Sequence, residues 1–225
     1  MIYITGDTHI PNDIKKLDEH NFEEQMKMNK NDYLIICGDF GGIWNNSKEE
    51  LQWRKWLSER KFTTLFIDGN HENFDLLNKY EIKKWNSGKV HFINESVIHL
   101  MRGQVYILDG LKFFTMGGAE SIDKYNRVEG KSWWKEEMPS KSEYDEALDN
   151  LDKNNWNVDY VITHTASIEL MQQMCWIKEN NPLNSFFNML QTDLNYKHWY
   201  FGHFHDDIDL DNKHTLLYEK IIRIK

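Results

Sequence analysis

The chain has 225 residues, with 27 Lys and Arg against 36 Asp and Glu, a net charge of −9. Apolar residues make up 40% and aromatics 14%, which supports a packed core and excludes a disordered chain. The acidic balance argues against a broad electrostatic grip on nucleic acid, and no run approaches the ~20 apolar residues of a membrane helix.

There is no linker, repeat or low-complexity run, so one domain over residues 1–225 is expected. The opening Met1-Ile-Tyr-Ile-Thr-Gly-Asp7 has no basic leader and reads as a first strand. Two cysteines, Cys37 and Cys175, make no disulfide framework, and the expected compartment is the cytoplasm.

Taken in chain order, Ile2–Ile4 reads as a strand, Asp13–Lys30 as a helix and Tyr33–Cys37 as a strand. Ser47-x-x-Glu50 is a capping-box pattern that opens a helix to about Arg60, with Trp53 and Trp56 on its buried face. Thr64–Ile67 is a strand, and Asn73 caps a short helix through Tyr80. Val90–Ile93 is a strand. Val97–Met116, which contains Gly103 and Gly110, reads as a meander of short antiparallel strands, Val105–Leu108 and Phe113–Met116 among them. Ser140-x-x-Glu143 opens a helix to about Asp152. Tyr160–Thr163 is a strand, Ser167–Glu179 and Leu183–Leu194 are helices, and Trp199–Phe201 and Leu216–Ile224 are strands. The opening implies parallel strands and the middle antiparallel ones. A mixed α/β architecture with two packed sheets satisfies both.

Chemistry-bearing residues collect at strand ends. The first strand ends in Gly6-Asp7-Thr8-His9, where Asp7 and His9, two apart, point to one side of an extended segment. The second ends at Gly38-Asp39, and the third in Gly69-Asn70-His71-Glu72. The fourth delivers His164, and the fifth Gly202-His203-Phe204-His205. Carboxylate, amide and imidazole in such sets suit a borderline divalent metal better than calcium. Alone, Gly38-Asp39 reads as an ordinary turn, and the other segments as turns or caps with a structural or surface histidine.

Together, the five segments resemble the calcineurin-like metallophosphoesterase superfamily, with the match running from Asp7 to His205. The resemblance implies a four-layer α/β/β/α sandwich, two mixed sheets flanked by helices. It implies a centre of two divalent ions, Mn²⁺ first and Fe, Zn or Ni next. Asp7, His9 and His205 would hold one ion, Asn70, His164 and His203 the other, and Asp39 would bridge them. His71 would stand beside the scissile phosphate as the catalytic histidine, oriented by Glu72. Two ions clamp an anionic diester and acidify a shared water, whose hydroxide attacks phosphorus. His71 would then stabilise or protonate the leaving oxygen.

The phosphoprotein-phosphatase branch carries an arginine just before Gly-Asn-His-Glu and a Gly-Asp-x-x-Asp-Arg second motif. Here Asp68 precedes Gly69, and the second motif reads Gly38-Asp-Phe-Gly-Gly-Ile-Trp44. Two phosphate-gripping arginines are therefore missing, which points away from that branch. The polar segment from Met116 to Glu136 supplies Arg127 and Lys124 as candidate substrate-binding cations and Trp133 or Trp134 as candidates to stack a base. The competing reading is a surface loop pinned by core tryptophans. His20, His91, His99, His198 and His214 have no motif context, and Ser167–Leu194 could cover the site or form a dimer face.

The expected activity is a phosphodiesterase acting on a small nucleotide or similar diester, with that phosphoester as its partner and no stable nucleic-acid complex. The alternatives are a phosphomonoesterase or protein phosphatase, and a non-catalytic interaction module on the same fold.

Overall fold

The computed structural model describes residues 1–176 and 180–225. In chain order its strands are β1 (Ile2–Thr5), β2 (Tyr33–Ile36), β3 (Thr63–Phe66), β4 (Ile82–Trp85), β5 (Gly88–Asn94), β6 (Val97–Leu100) and β7 (Gln104–Leu108). They continue as β8 (Leu111–Met116), β9 (Tyr160–Thr163), β10 (His198–Phe201), β11 (Ile208–Asp209), β12 (His214–Leu216) and β13 (Ile221–Arg223). The helices are α1 (Lys48–Ser58), α2 (Phe74–Leu77), α3 (Lys141–Lys153), α4 (Ile168–Gln173) and α5 (Pro182–Asp193). A seven-stranded sheet runs β13-β1-β2-β3-β6-β5-β4, and a six-stranded sheet runs β11-β12-β10-β9-β8-β7. Both are mixed.

Alternation along each strand builds the layers. Ile2, Ile4, Ile35, Cys37, Leu65 and Ile67 from the first sheet meet Phe113, Ile162 and Tyr200 from the second in one buried cluster between the sheets. Their neighbours Tyr3, Leu34, Ile36 and Phe66 point outward and pack with Ile14, Leu17, Phe22 and Leu57. On the other side, Phe114, Val161, Trp199 and Phe201 pack with Ala147, Leu151, Leu170, Phe187 and Leu190 from α3, α4 and α5. The result is the four-layer α/β/β/α sandwich. Met171 and Phe187 are spent on that outer layer, so α4 and α5 bury their main apolar faces within this chain. No described helix is long and apolar enough to cross a membrane.

Capping signals locate helix starts well. Ser47 accepts the Glu50 N–H at the start of α1, and Ser140 with Glu143 forms a complete capping box at α3. Four expectations are corrected. Asp13–Lys30 is not a helix but two short 3₁₀ turns, Ile14–Leu17 and Glu23–Lys27. Asp18 Oδ1 accepts the N–H groups of His20 and Asn21, a local turn that outcompetes the helix. The Val97–Met116 meander is divided, because β6 pairs with β5 and β3 in the first sheet while β7 and β8 form a hairpin in the second. Leu216–Ile224 is likewise two strands in different sheets. The Asp207 carboxylate takes the N–H groups of Tyr218, Glu219 and Lys220 where the chain crosses. The helix from Ser167 ends at Gln173, and its expected tail at 177–179 lies outside the described residues.

β1, β2 and β3 are mutually parallel, and so are β9 and β10. Their C-terminal ends carry the five polar segments, and tight contacts within and between the sheets bring those ends together. Gly202 lies against the Asp7 carboxylate, where an added Cβ would meet Oδ1 at 2.2 Å. Gly69 lies against Asp39, where a Cβ would meet Oδ1 at 2.1 Å. Glycine is required at both points because a carboxylate fills the space of a side chain.

Candidate metal centre

Asp7 sits just after β1 and is fully buried. Both its oxygens accept the His203 N–H, at 3.0 and 3.2 Å, which ties the end of β1 to the end of β10. Asp39, also buried, uses its two oxygens in different directions. Oδ1 accepts the His71 N–H at 2.7 Å and lies 3.2 Å from His164 Nε2, while Oδ2 lies 3.2 Å from His9 Nε2. His205 Nε2 reaches Asp7 Oδ2 at 3.3 Å. Three groups of potential ligand atoms result: Asp7, His9 and His205; Asp39, His164 and His203; and His9, Asp39 and His71. Asn70 joins the second through Oδ1, 3.2 Å from His164 Nε2.

The imidazoles are oriented from behind. His164 Nδ1 donates to the Cys37 carbonyl at 2.8 Å, and His9 Nδ1 to Asp13 Oδ2 at 2.7 Å. Each ring is thereby left with Nε2 facing oxygen acceptors. When His164 is neutral, its Nε2, Asn70 Oδ1 and Asp39 Oδ1 all present lone pairs, and either a proton or a metal cation must sit where they meet. Burial alone would lower the His164 pKa, but the Asp39 and Asp7 carboxylates outweigh it and push it up to about 10. Burial also opposes the charged form of His9, yet Asp39, Asp7 and Asp13 push it up to about 9. Without metal, protons do the neutralising, and metal binding must release them. The donor set therefore fits divalent cations of the borderline class.

Four of the ligand-bearing residues sit in left-handed backbone. His9, Asp39, His203 and His205 have φ of 33°, 44°, 74° and 51°, a region unfavourable to side chains with a Cβ. Each such residue costs about 1–3 kcal/mol, and strain of this kind gathers where function over-determines the geometry.

The family model for calcineurin-like phosphoesterases matches residues 1–207 of the chain. The chain belongs to the calcineurin-like phosphoesterases. No curated protein matches it. Membership supports a metal-dependent phosphoric ester hydrolase, and the Asp/His groups support divalent metal binding.

Within this calcineurin-like phosphoesterase, the remaining expected residues fall as follows. His71 is half-buried, and its Nδ1 lies 3.4 Å from Arg127 Nη1. Burial first, then the charges of Arg127 and neighbouring histidines, lower its pKa against the pull of Asp39. Glu72 is fully buried and accepts the Phe40 N–H at 2.7 Å, pinning the turn that carries Asp39. It makes no hydrogen bond to His71 among the described residues. Arg127 also pairs with Asp123 at 2.8 Å. Lys124 is held by Glu120 on the same loop. Trp134 is removed as a stacking platform, since it is buried against Trp44 and donates Nε1–H to Asp75 at 3.0 Å. Trp133 is half-buried.

Several supporting residues carry no motif. Asp13, the partner of His9, has an i+4 spacing that could have been read. Asp68 had no such signal. Its Oδ2 accepts from Arg102 Nε and Nη2 at 2.8 and 2.6 Å, and its Oδ1 lies 3.1 Å from His99 Nε2. Burial would raise the Asp68 carboxyl, but Arg102, helped by His99, outweighs burial and holds it well below the usual range.

His99 Nδ1 in turn lies 3.1 Å from His91 Nδ1. Burial, and then His99, push His91 down to about 4 against a weaker pull from Asp68. An unfolded histidine takes its proton near pH 6.5. Between that value and about 4 the unfolded chain binds more protons, so stability falls as pH falls through this window. His91→Gln should flatten the dependence of melting temperature on pH there. A slope equal to that of the wild type would show that His91 contributes nothing.

Proposed function

We propose that the chain is a dinuclear metal-dependent phosphodiesterase for a small diester, with nucleotides the leading class. The observation that carries this reading is the two-way use of Asp39, whose oxygens face His9 on one side and His164 on the other. Asp7, His9 and His205 would hold one ion; Asn70, His164 and His203 would hold the second; Asp39 would be shared. The bound ions would supply positive charge to the phosphate and a more acidic water. Mn²⁺ is the first candidate, before Fe, Zn and Ni.

The chain's own residues do the rest. The burial of Asp7 and Asp39 keeps the attraction of their carboxylates for positive charge strong. Arg127, close to His71, would fork onto a non-bridging phosphate oxygen. His71 would give a hydrogen bond or a proton to the leaving oxygen. Glu72 would act through Phe40 by fixing the Asp39 turn. Lys124 would contribute after exchanging Glu120 for substrate. Preference for a diester is supported by Asp68, which stands where a phosphatase-type arginine would and is itself neutralised by Arg102.

Metal-stripped protein supplied with Mn²⁺ should hydrolyse bis-p-nitrophenyl phosphate, and EDTA should abolish the activity. Faster turnover of p-nitrophenyl phosphate, the monoester, would replace the diesterase reading with a phosphomonoesterase.

A further inference from the structure

Arg102 lies in the short crossover between β6 and β7, where the chain leaves the first sheet for the second. Its side chain is 4% exposed. Besides its two bonds to Asp68, its Nη2 donates to the Glu136 carbonyl at 2.7 Å and to the Glu137 carbonyl at 3.4 Å. It thus holds two segments at once: the turn leading to Asn70, and the far end of the loop that carries Arg127.

From those two segments the contacts close into a ring. The Asp68 carbonyl accepts the Gly118 N–H at 2.9 Å. Glu137, almost fully buried, accepts the Ser121 N–H through Oε2 at 3.1 Å. Ser121 Oγ accepts from Asn70 Nδ2 at 3.2 Å. An amide has one accepting end and one donating end. With Nδ2 spent on Ser121, Oδ1 is the end that faces His164 Nε2. A half-turn of the amide would instead point N–H groups at the place where a cation is wanted. No link of this ring involves Asp7, His9 or His205.

We propose that Arg102 is a positioning residue for one half of the metal centre: acting through Asp68 and through Glu137–Ser121, it sets the Asn70 oxygen toward the cation held with His164 and His203, and leaves the Asp7–His9–His205 half alone. The proposal rests on the dinuclear reading above. Removing a partner that orients a ligand typically weakens metal binding by about 10–100-fold.

The test is Mn²⁺ binding to the metal-stripped full chain by titration calorimetry. Arg102→Ala should weaken one of two binding events at least about tenfold and leave the other unchanged. Ser121→Ala, which removes the hydroxyl that joins Asn70 to Glu137 but keeps the Ser121 N–H bond to Glu137, should weaken the same event by less. A third arm uses the cavity of about 470 Å³ that Arg102 lines together with Phe74, Met101 and Met138. It gives a small planar cation a route to the vacated position. Millimolar guanidinium, far below denaturing concentrations, should restore the weakened event in Arg102→Ala and have no effect on Ser121→Ala.

Wild-type affinity for both ions in Arg102→Ala overturns the proposal. So does equal weakening of both events without rescue, which would report general loosening. If Arg102→Ala does not fold, Ser121→Ala decides, and unchanged binding in that variant overturns the proposal. A wild-type chain that takes up fewer than two ions overturns the dinuclear reading itself, and this proposal with it.

Discussion

Asp39→Asn is expected to lower kcat on bis-p-nitrophenyl phosphate by about 10³-fold or more at saturating Mn²⁺. The magnitude follows from the two directions in which the carboxylate works. Oδ1 faces His164 and holds the His71 N–H, while Oδ2 faces His9. Asparagine keeps one oxygen and replaces the other with an N–H donor, so one side must present a hydrogen to the cation. It also removes the negative charge that would be shared between two ions. Calorimetry should show both Mn²⁺ binding events weakened, which separates this variant from Arg102→Ala. Circular dichroism should show an unchanged fold. Activity within tenfold of the wild type would mean that Asp39 is not the shared ligand.

The second large effect is expected at His71, and it depends on the leaving group. A nitrophenolate departs as a stable anion and needs little help, whereas an alkoxide or ribose oxygen needs a proton or a strong hydrogen bond. His71→Ala should therefore lower turnover of a dialkyl or nucleoside diester by about 10²–10⁴-fold. The loss on bis-p-nitrophenyl phosphate should be much smaller. His71 is placed for this role by its neighbours: its N–H is tied to Asp39 at 2.7 Å, and its ring stands beside Arg127 at 3.4 Å. An equal loss on both substrates would move His71 from the leaving group to metal binding. The third group of ligand atoms, which joins it to His9 and Asp39, makes that a real alternative outcome.

Much of the sandwich was legible because its code is local. A short apolar run rich in β-branched residues, such as Leu34-Ile35-Ile36, closed by Gly38, reads as a strand covered on both faces. Serine followed by glutamate three residues later marks the starts of α1 and α3 in any context. Four of the five strand ends were legible for a related reason, the exception being His164, which has no glycine beside it. Glycine beside Asp, Asn or His marks a place where backbone and carboxylate approach closely, as Gly69 does with Asp39 and Gly202 with Asp7.

What was not legible depends on partners that only packing supplies. Asp13–Lys30 has helical composition, yet the Asp18 carboxylate caps local N–H groups and Gln25 Nε2 bonds the Leu17 and Phe22 carbonyls, so the segment breaks into turns. Trp134 looked available for a base until folding buried it and gave its N–H to Asp75. Asp68 and Arg102 stand 34 positions apart on different elements, without a motif between them.

By itself, then, the sequence determined most of the strands, though not β4 or β11, the capped starts of α1 and α3, the five ligand-bearing ends and the family they resemble. The tertiary structure alone decided which sheet each strand joins, which way the Asn70 amide faces and where Arg102 spends its charge. Periodicity and capping act over one or two turns of backbone and are written in neighbouring residues. Pairing a buried charge is decided by desolvation, and the water is excluded only once two sheets have closed over the site.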